Sequence, residues 1–342
     1  MKLYWMRNKL QFVSPPPISL RYTRFKSEPA YLVFNTSKGK VYADGNKIYG
    51  SQPLENNTTV YIYGETDLEP LKSGILNPGK GLQTSSPKQQ NGEAIGLYFG
   101  DKATVVKLKY GISFISTDQA KKNLLREIKT FDLEYLKEKG RDIWNKTLNK
   151  IRVEGTDEND KAVFYTSLYR SHERPVNISE DGRYFSASDG KVHEDNGTPF
   201  FTDDWIWDTY RATHPLRILI DQQKESDILN SFIRMAEQTD NFWLPTFPEI
   251  TGDSRRMNSN HGIVSMADAY SKGLKSFDLK KALKQVKRLC RKKHWRHGLE
   301  HPQAGSTIFI KSTVISRRWP WARKKLCLKL MRSKSVNPWR LH

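Results

Sequence analysis

DGRYFSASDGKVHEDNGTPFFTDDWIWDTYRATHP, residues 181–215, decides how the chain is read. Its first half predicts a hairpin, because Asp181-Gly182 and Asp189-Gly190 are turn dipeptides flanking the aromatic run Arg183, Tyr184, Phe185. Its second half predicts a helix over 204–220, with Thr202 or Asp203 as N-cap and Asp203 and Asp204 in the electropositive first turn. On such a helix Asp204, Asp208 and Arg211 share one stripe, and Trp207, Tyr210 and His214 another. Carboxylate, guanidinium and aromatic faces at one helix start suit a pyranose, whose hydroxyls take bidentate hydrogen bonds and whose C–H faces stack on rings. The competing reading is a buried polar network that pins the helix to its neighbours, since charged residues are buried when paired.

Around this stretch lie FYTSLYRS (164–171) and GDSRRMNSNHGIVSMADAYSKGL (252–274). Together with DGKVH (189–193) and WDTYRATHPL (207–216) they resemble glycoside hydrolase family 92, the calcium-dependent exo-acting α-mannosidases. The resemblance covers 164–274 closely and 31–155 more loosely. It implies an N-terminal antiparallel β-sandwich followed by an (α/α)6 barrel, of which this chain would hold a partial sandwich and the first part of the barrel.

The net charge of +20 suggests a nucleic-acid binder until it is divided along the chain. Residues 284–342 hold 17 of the 57 Lys and Arg and one of the 37 acids, Glu300, so the first 283 residues carry only +4. Both cysteines, Cys290 and Cys327, also lie in that tail, and no redox compartment follows from them. No run of 18 apolar residues exists, so no transmembrane helix is expected. The opening MKLYWMRNKLQFVSPPP is basic, without a continuous apolar core or a small-residue cleavage site, and does not read as a signal peptide. The resembled family is typically exported, so a cytoplasmic location here would be a departure from it.

From residue 30 to 116 the pattern is β: the runs 31–34, 60–63, 95–99 and 104–109 are rich in Val, Ile, Tyr and Phe between Gly, Asn and Asp turns. Residues 74–92 read as a polar surface loop by composition. The first 25 residues match the family weakly, as if displaced, and the opening strands of the sandwich are expected to be missing. Thr117 as N-cap opens an amphipathic helix, and a second spans 132–148. A short strand is expected at 151–154, then helices at 157–169, 204–220, 224–238 and 261–274. Four segments follow: 1–116 partial sandwich, 117–150 helical connector, 151–283 first third of the barrel, and 284–342 anomalous basic tail.

The tail carries four of nine tryptophans among its basic residues without helical or alternating period. That composition offers stacking and phosphate neutralisation, hence a nucleic-acid alternative. A frameshift fits better. Read one base out of frame, residues 294–299 can encode an APWS-like block and 309–321 a GYxPAL-like block, both resembling what the family carries after its first barrel helices.

Candidate site residues are few. The resemblance carries Asp208 over as a mannose-hydroxyl contact, followed by Trp207 and by Arg255 or Arg256 on the loop before residue 261. A guanidinium fork suits vicinal hydroxyls, whereas His261 reads more simply as a helix-start residue. The resemblance also implies inversion, with one carboxyl protonating the leaving oxygen and another activating water, and calcium on the sugar hydroxyls. No catalytic carboxylate and no metal ligand is assigned; most are expected beyond the point where the chain leaves its frame. The expected function is exo-α-mannosidase action on terminal mannosides of N-glycans or mannans, with the fragment inactive alone. A non-catalytic glycan-binding remnant is the alternative.

Overall fold

The computed structural model describes residues 2–291 apart from 4–10, 14–17, 25–29, 37, 78–80, 86–89, 93, 101–102, 104, 156, 240–242 and 258–259. Two compact units form: one from Met1–Lys161 with Glu180–Glu194, the other from Ala162–Ser179 with the described residues from 195 onward. The division therefore does not fall at residue 150, and the expected connector 117–150 belongs wholly to the first unit.

The first unit opens with twelve strands: β1 (Lys2–Leu3), β2 (Gln11–Val13), β3 (Ile18–Arg24), β4 (Tyr31–Asn35), β5 (Lys40–Asp44), β6 (Lys47–Pro53), β7 (Thr59–Thr66), β8 (Lys72–Asn77), β9 (Gly81–Ser85), β10 (Gln90–Gly92), β11 (Ala94–Tyr98) and β12 (Val105–Ser113). Then come α1 (Thr117–Glu127), α2 (Leu133–Leu148), α3 (Glu158–Arg170), β13 (Val176–Asn177), β14 (Arg183–Ser186), β15 (Lys191–Glu194) and β16 (Phe201–Thr202). The remainder is α4 (Ile206–Thr209), α5 (Thr213–Ile220), α6 (Gln222–Glu237), β17 (Pro248–Glu249), β18 (Gly252–Asp253), α7 (His261–Ser271) and α8 (Leu279–Arg291).

Strands β1-β4-β11-β8-β9 and β10-β5-β6-β7-β12-β3-β2 make two antiparallel sheets. Period-2 alternation turns Leu32 and Phe34, Val41 and Ala43, Ile95 and Leu97, and Val106 and Leu108 into one buried core drawn from both sheets. One expectation fails here. Residues 74–92 are not a surface loop: β8 pairs with β9, and β10 pairs with β5. Ladder partners override the low β-propensity of Gly, Ser and Gln. Residues 18–24 form β3, which pairs along β12 from Arg24↔Val105 to Ile18↔Gly111.

Helix α1 covers the outer face of the larger sheet, burying Ala120, Leu124 and Ile128 with Tyr63. Its N-cap is Ser116, one residue earlier than expected, accepting from the Gln119 amide at 3.1 Å. The close approach depends on Gly111, where a Cβ would lie 2.6 Å from the Ala120 carbonyl oxygen and 3.0 Å from Leu124 Cβ. Gly111→Ala is therefore expected to destabilise the first unit by about 1–3 kcal/mol through overpacking. Gly140→Ala, in α2 with open space around the site, is expected to stabilise by about 0.5–1 kcal/mol. Urea midpoints of the two variants check the pair; equal midpoints would mean that α1 gives way freely.

The hairpin β14–β15 forms as the sequence predicts, with Asp181 at φ 51°, Gly182 at 83° and Gly190 at 71°. It is fastened to α1. Buried Glu180 accepts from the Phe114 amide at 2.9 Å and from Asn123 Nδ2 at 2.7 Å, and Gln119 donates to Asp181 at 2.6 Å. Residues 151–154 form no strand.

In the second unit α5, α7 and α8 pack on α6, whose Ile228, Leu229, Phe232 and Ile233 are buried. The single helix expected over 204–220 is two helices, α4 and α5, broken at residues 210–212. Pro215 explains the break: it has no N–H to give the carbonyl of Arg211, and its ring crowds that turn. The expected capping is also wrong. Thr202 belongs to β16, Asp203 takes φ 62°, and Trp205 is the N-cap without a side-chain bond. Helix α8 runs through residue 284, where an abrupt change was expected, with Ala282 and Val286 buried and Lys281 and Lys284 exposed. The tail from 292 lies outside the described residues. Among the described residues no helix is long and apolar enough to cross a membrane.

Candidate functional site

Helix α4 is a single turn whose inner residue, Ile206, is fully buried. Trp207, 45% exposed, and Asp208 face outward beside it. The Asp208 carboxylate makes no hydrogen bond or ion pair among the described residues. A free carboxylate next to a free indole face is an acceptor and a stacking platform on one surface.

Asp204 does not share a stripe with Asp208; it lies buried beneath the turn. Its Oδ1 accepts from Thr209 Oγ1 at 2.8 Å, and its Oδ2 lies 3.1 Å from His214 Nε2. His214 Nδ1 is 2.8 Å from Glu225 Oε1 on α6, and the ring meets Phe232 edge-on at 5.9 Å. Arg217 completes the cluster, donating to the carbonyls of Ser171 and Arg174. Burial disfavours the His214 imidazolium, but the charges of Glu225 and Asp204 and the bonds to both outweigh it, raising its pKa to about 9. Burial also acts to raise Asp204, yet His214, Arg217 and Thr209 hold it below its ordinary 3.8. Burial lowers the pKa of Arg217, against the opposing charges of Asp204, Glu225 and Asp221.

The signs give a pH window. Folded His214 holds its proton more tightly than unfolded His214, so its stabilisation is complete below about 6.5 and vanishes as pH rises through about 9. Asp204 contributes above 3.8 and loses that contribution on acidification. The stability gap between wild type and His214→Gln is expected to narrow steadily from pH 6 to above 9. Urea unfolding across that range measures it, and a constant gap would mean that His214 is not held charged.

The 246–256 loop is fastened to the root of α4. The Asp204 amide donates to the Pro248 carbonyl at 2.9 Å, Thr202 Oγ1 donates to the Glu249 carbonyl at 3.2 Å, and Trp205 stacks on Phe247 at 5.5 Å. Asp253 organises the loop, accepting from the amides of Thr246 at 3.0 Å and Phe247 at 2.8 Å. Arg255, at φ 48°, lies 4.8 Å over the Trp243 ring with its Nε 3.7 Å from Asp253. Exposed Arg256 pairs with Glu249 at 3.1 Å. The structure thus joins Trp207 and Asp208 on one turn and Arg255 and Arg256 on a loop pinned to its base. Neither guanidinium contacts Asp208. Asn258 lies outside the described residues. His261 stacks on Tyr210 at 3.9 Å, and burial, with the Arg211 charge, lowers its pKa; it is the first residue of α7.

Sequence reasoning missed Glu225 and Arg217. Their signal was present: Glu225 lies on the same α6 face as Ile228, Leu229 and Phe232, and Arg217 interrupts the apolar run LRILI.

Calcium takes six to eight oxygen ligands. Among the described residues no group of three or more His, Cys, Asp or Glu could hold a metal ion. The two buried carboxylates of Asp204 and Glu225 converge on the charged His214 instead. The described residues therefore do not fit the calcium that the resemblance implies.

Solved structures share this fold. The family GH92 α-mannosidase BT3965 from Bacteroides thetaiotaomicron is 23% identical, with a TM-score of 0.74, over 82% of this chain and 41% of that one. The same protein in complex with mannoimidazole gives 22% and 0.72, over 83% and 40%. The family GH92 inverting mannosidase BT2199 from Bacteroides thetaiotaomicron VPI-5482 gives 24% and 0.71, over 81% and 39%. The chain spans about two fifths of their length, as a β-sandwich with the opening part of an (α/α)6 barrel. Among curated proteins none matches. The profile of the glycosyl hydrolase family 92 catalytic domain matches residues 119–318, past residue 283 where the sequence resemblance had ended. With that match covering more than half of its length, the chain belongs to glycosyl hydrolase family 92.

Proposed function

We propose that this chain carries the sugar-contacting part of an exo-acting α-mannosidase, with Asp208 and Trp207 meeting the terminal mannose of an N-glycan or mannan. The observation that carries the reading is the exposed, unengaged Asp208 carboxylate beside Trp207 in a family 92 chain. Asp208 can accept from two neighbouring hydroxyls, and the Trp207 face can stack on the C–H side of the ring. Arg255 and Arg256 would join by exchanging Asp253 and Glu249 for sugar hydroxyls. An inverting reaction needs an acid and a base about 6.5–9.5 Å apart, and no such pair is assigned to the described residues. Calcium, if it serves this reaction, would be held by residues other than those described.

The purified chain is expected to bind α-1,2-mannobiose without cleaving it. Saturation-transfer NMR should show contact along the mannose C–H face, none with cellobiose, and no free mannose appearing. Equal contact with both sugars, or none with either, would overturn the reading. Chelator-sensitive mannose release would show that the chain holds a full catalytic set, contrary to the expectation.

A further inference from the structure

We propose that Asp204 and His214 are positioning residues: the buried chain Thr209–Asp204–His214–Glu225 fixes the single turn α4 and so orients Asp208 and Trp207. The inference rests on the mannoside reading for its functional meaning, but the tie itself can be measured without sugar.

A four-residue helix is too short to persist by its own hydrogen bonds, because nucleation costs more than one turn returns. Helix α4 lacks a side-chain cap at Trp205. Its backbone bonds are Asp208 N–H and Thr209 N–H to the Trp205 carbonyl, at 2.8 and 3.0 Å, and Tyr210 N–H to the Ile206 carbonyl at 3.1 Å. The Thr209 hydroxyl lies 3.1 Å from the Trp205 carbonyl of its own turn and nearer, at 2.8 Å, to the charged Asp204 Oδ1, the stronger acceptor, which fastens the end of this turn to a fully buried side chain. Asp204 is in turn fixed through its amide on Pro248 and through His214, and His214 through Glu225 on the sixteen-residue α6. A protonated imidazole can donate to both carboxylates at once, whereas a neutral one can donate to only one.

The charged groups around His214 come from several elements. Asp204 faces it from the segment before α4, Glu225 from α6, and Arg217 from its own helix α5. On α7, His261 faces Tyr210, and Asp268 pairs with Lys272. The hydrogen bond of His214 is the one between Nδ1 and Glu225, whereas Nε2 faces Asp204 as an ion pair at 3.1 Å, so loss of the proton removes the charge facing Asp204 and loosens the end of the chain that holds α4.

The test uses Thr209, whose replacement leaves every charge in place. Hydrogen exchange of the Asp208, Thr209 and Tyr210 amides is compared in wild type, Thr209→Val and Thr209→Ser. Thr209→Val is expected to exchange about tenfold faster and to bind mannobiose about tenfold more weakly, the worth of one bond to a charged acceptor. Melting temperature should fall by no more than the loss of that one bond accounts for, and Thr209→Ser should restore the exchange and binding readouts. In wild type, protection of these amides, corrected for intrinsic exchange, should fall as pH rises through 9, and in Thr209→Val it should be low throughout. Unchanged exchange in Thr209→Val, or failure of Thr209→Ser to restore it, would overturn the proposal. A wild type that shows the tie yet binds no mannobiose would overturn the mannoside reading instead.

Discussion

His214→Leu is expected to cost the second unit about 3–5 kcal/mol, the usual penalty for removing one partner of a buried ion pair. Leucine fills the volume but leaves Asp204 and Glu225 facing an apolar group. Both carboxylates belong to residues that are 0% exposed, and Glu225 Oε2 already lacks a hydrogen-bond partner among the described residues. Arg217 offsets part of the charge but has a buried Nη1 without a partner of its own. Urea unfolding followed through Trp205, Trp207 and Trp243, all in the second unit, gives the loss directly. Adding Asp204→Asn and Glu225→Gln to His214→Leu should recover much of it, because neutral amides are cheaper to bury than carboxylates. A loss below 1 kcal/mol for the single variant would mean that the carboxylates protonate or hydrate easily, and the cluster would not be the anchor of this unit.

What could be read from sequence depended on how local the cause was. The β-branched and aromatic enrichment of 31–34 and 95–99 is local, and β4 and β11 form there. The Asp-Gly dipeptides encode left-handed backbone directly, so the hairpin β14–β15 was legible. Residues 74–92 were not, because their strands exist through backbone partners: Leu76 is in register with Leu82, and Gln90 with Ala43 in a distant segment. The break between α4 and α5 was local and readable from Pro215, but the amphipathic stripes of 204–220 masked it. Trp207 and Asp208 were found as a pair because they are adjacent in sequence. The cluster beneath them draws on Asp204, His214 and Glu225, and only the fold reveals that their polar atoms meet. The buried-network reading of the opening stretch holds for Asp204 and His214, while Asp208 is exposed and its sugar contact stays a proposal.

Asp208→Asn is expected to weaken mannobiose binding roughly ten- to a hundredfold. The substitution keeps shape and exposure and alters only the chemistry of the tip. An ionised carboxylate accepts at both oxygens, so it can bridge two vicinal hydroxyls. The amide accepts at one end and donates at the other, which leaves one hydroxyl facing an N–H. A hydrogen bond to a charged group is worth about 1.5–3 kcal/mol, and each 1.4 kcal/mol is a factor of ten in Kd. Folding should be indifferent, because the native carboxylate has no partner among the described residues to lose. Calorimetric titration of both proteins with the same mannoside, beside their melting curves, separates binding from stability. Equal affinities with equal melting would remove Asp208 from the sugar site. A large fall in melting temperature would show that the carboxylate is bonded in solution, and that the surface around α4 differs from the one described.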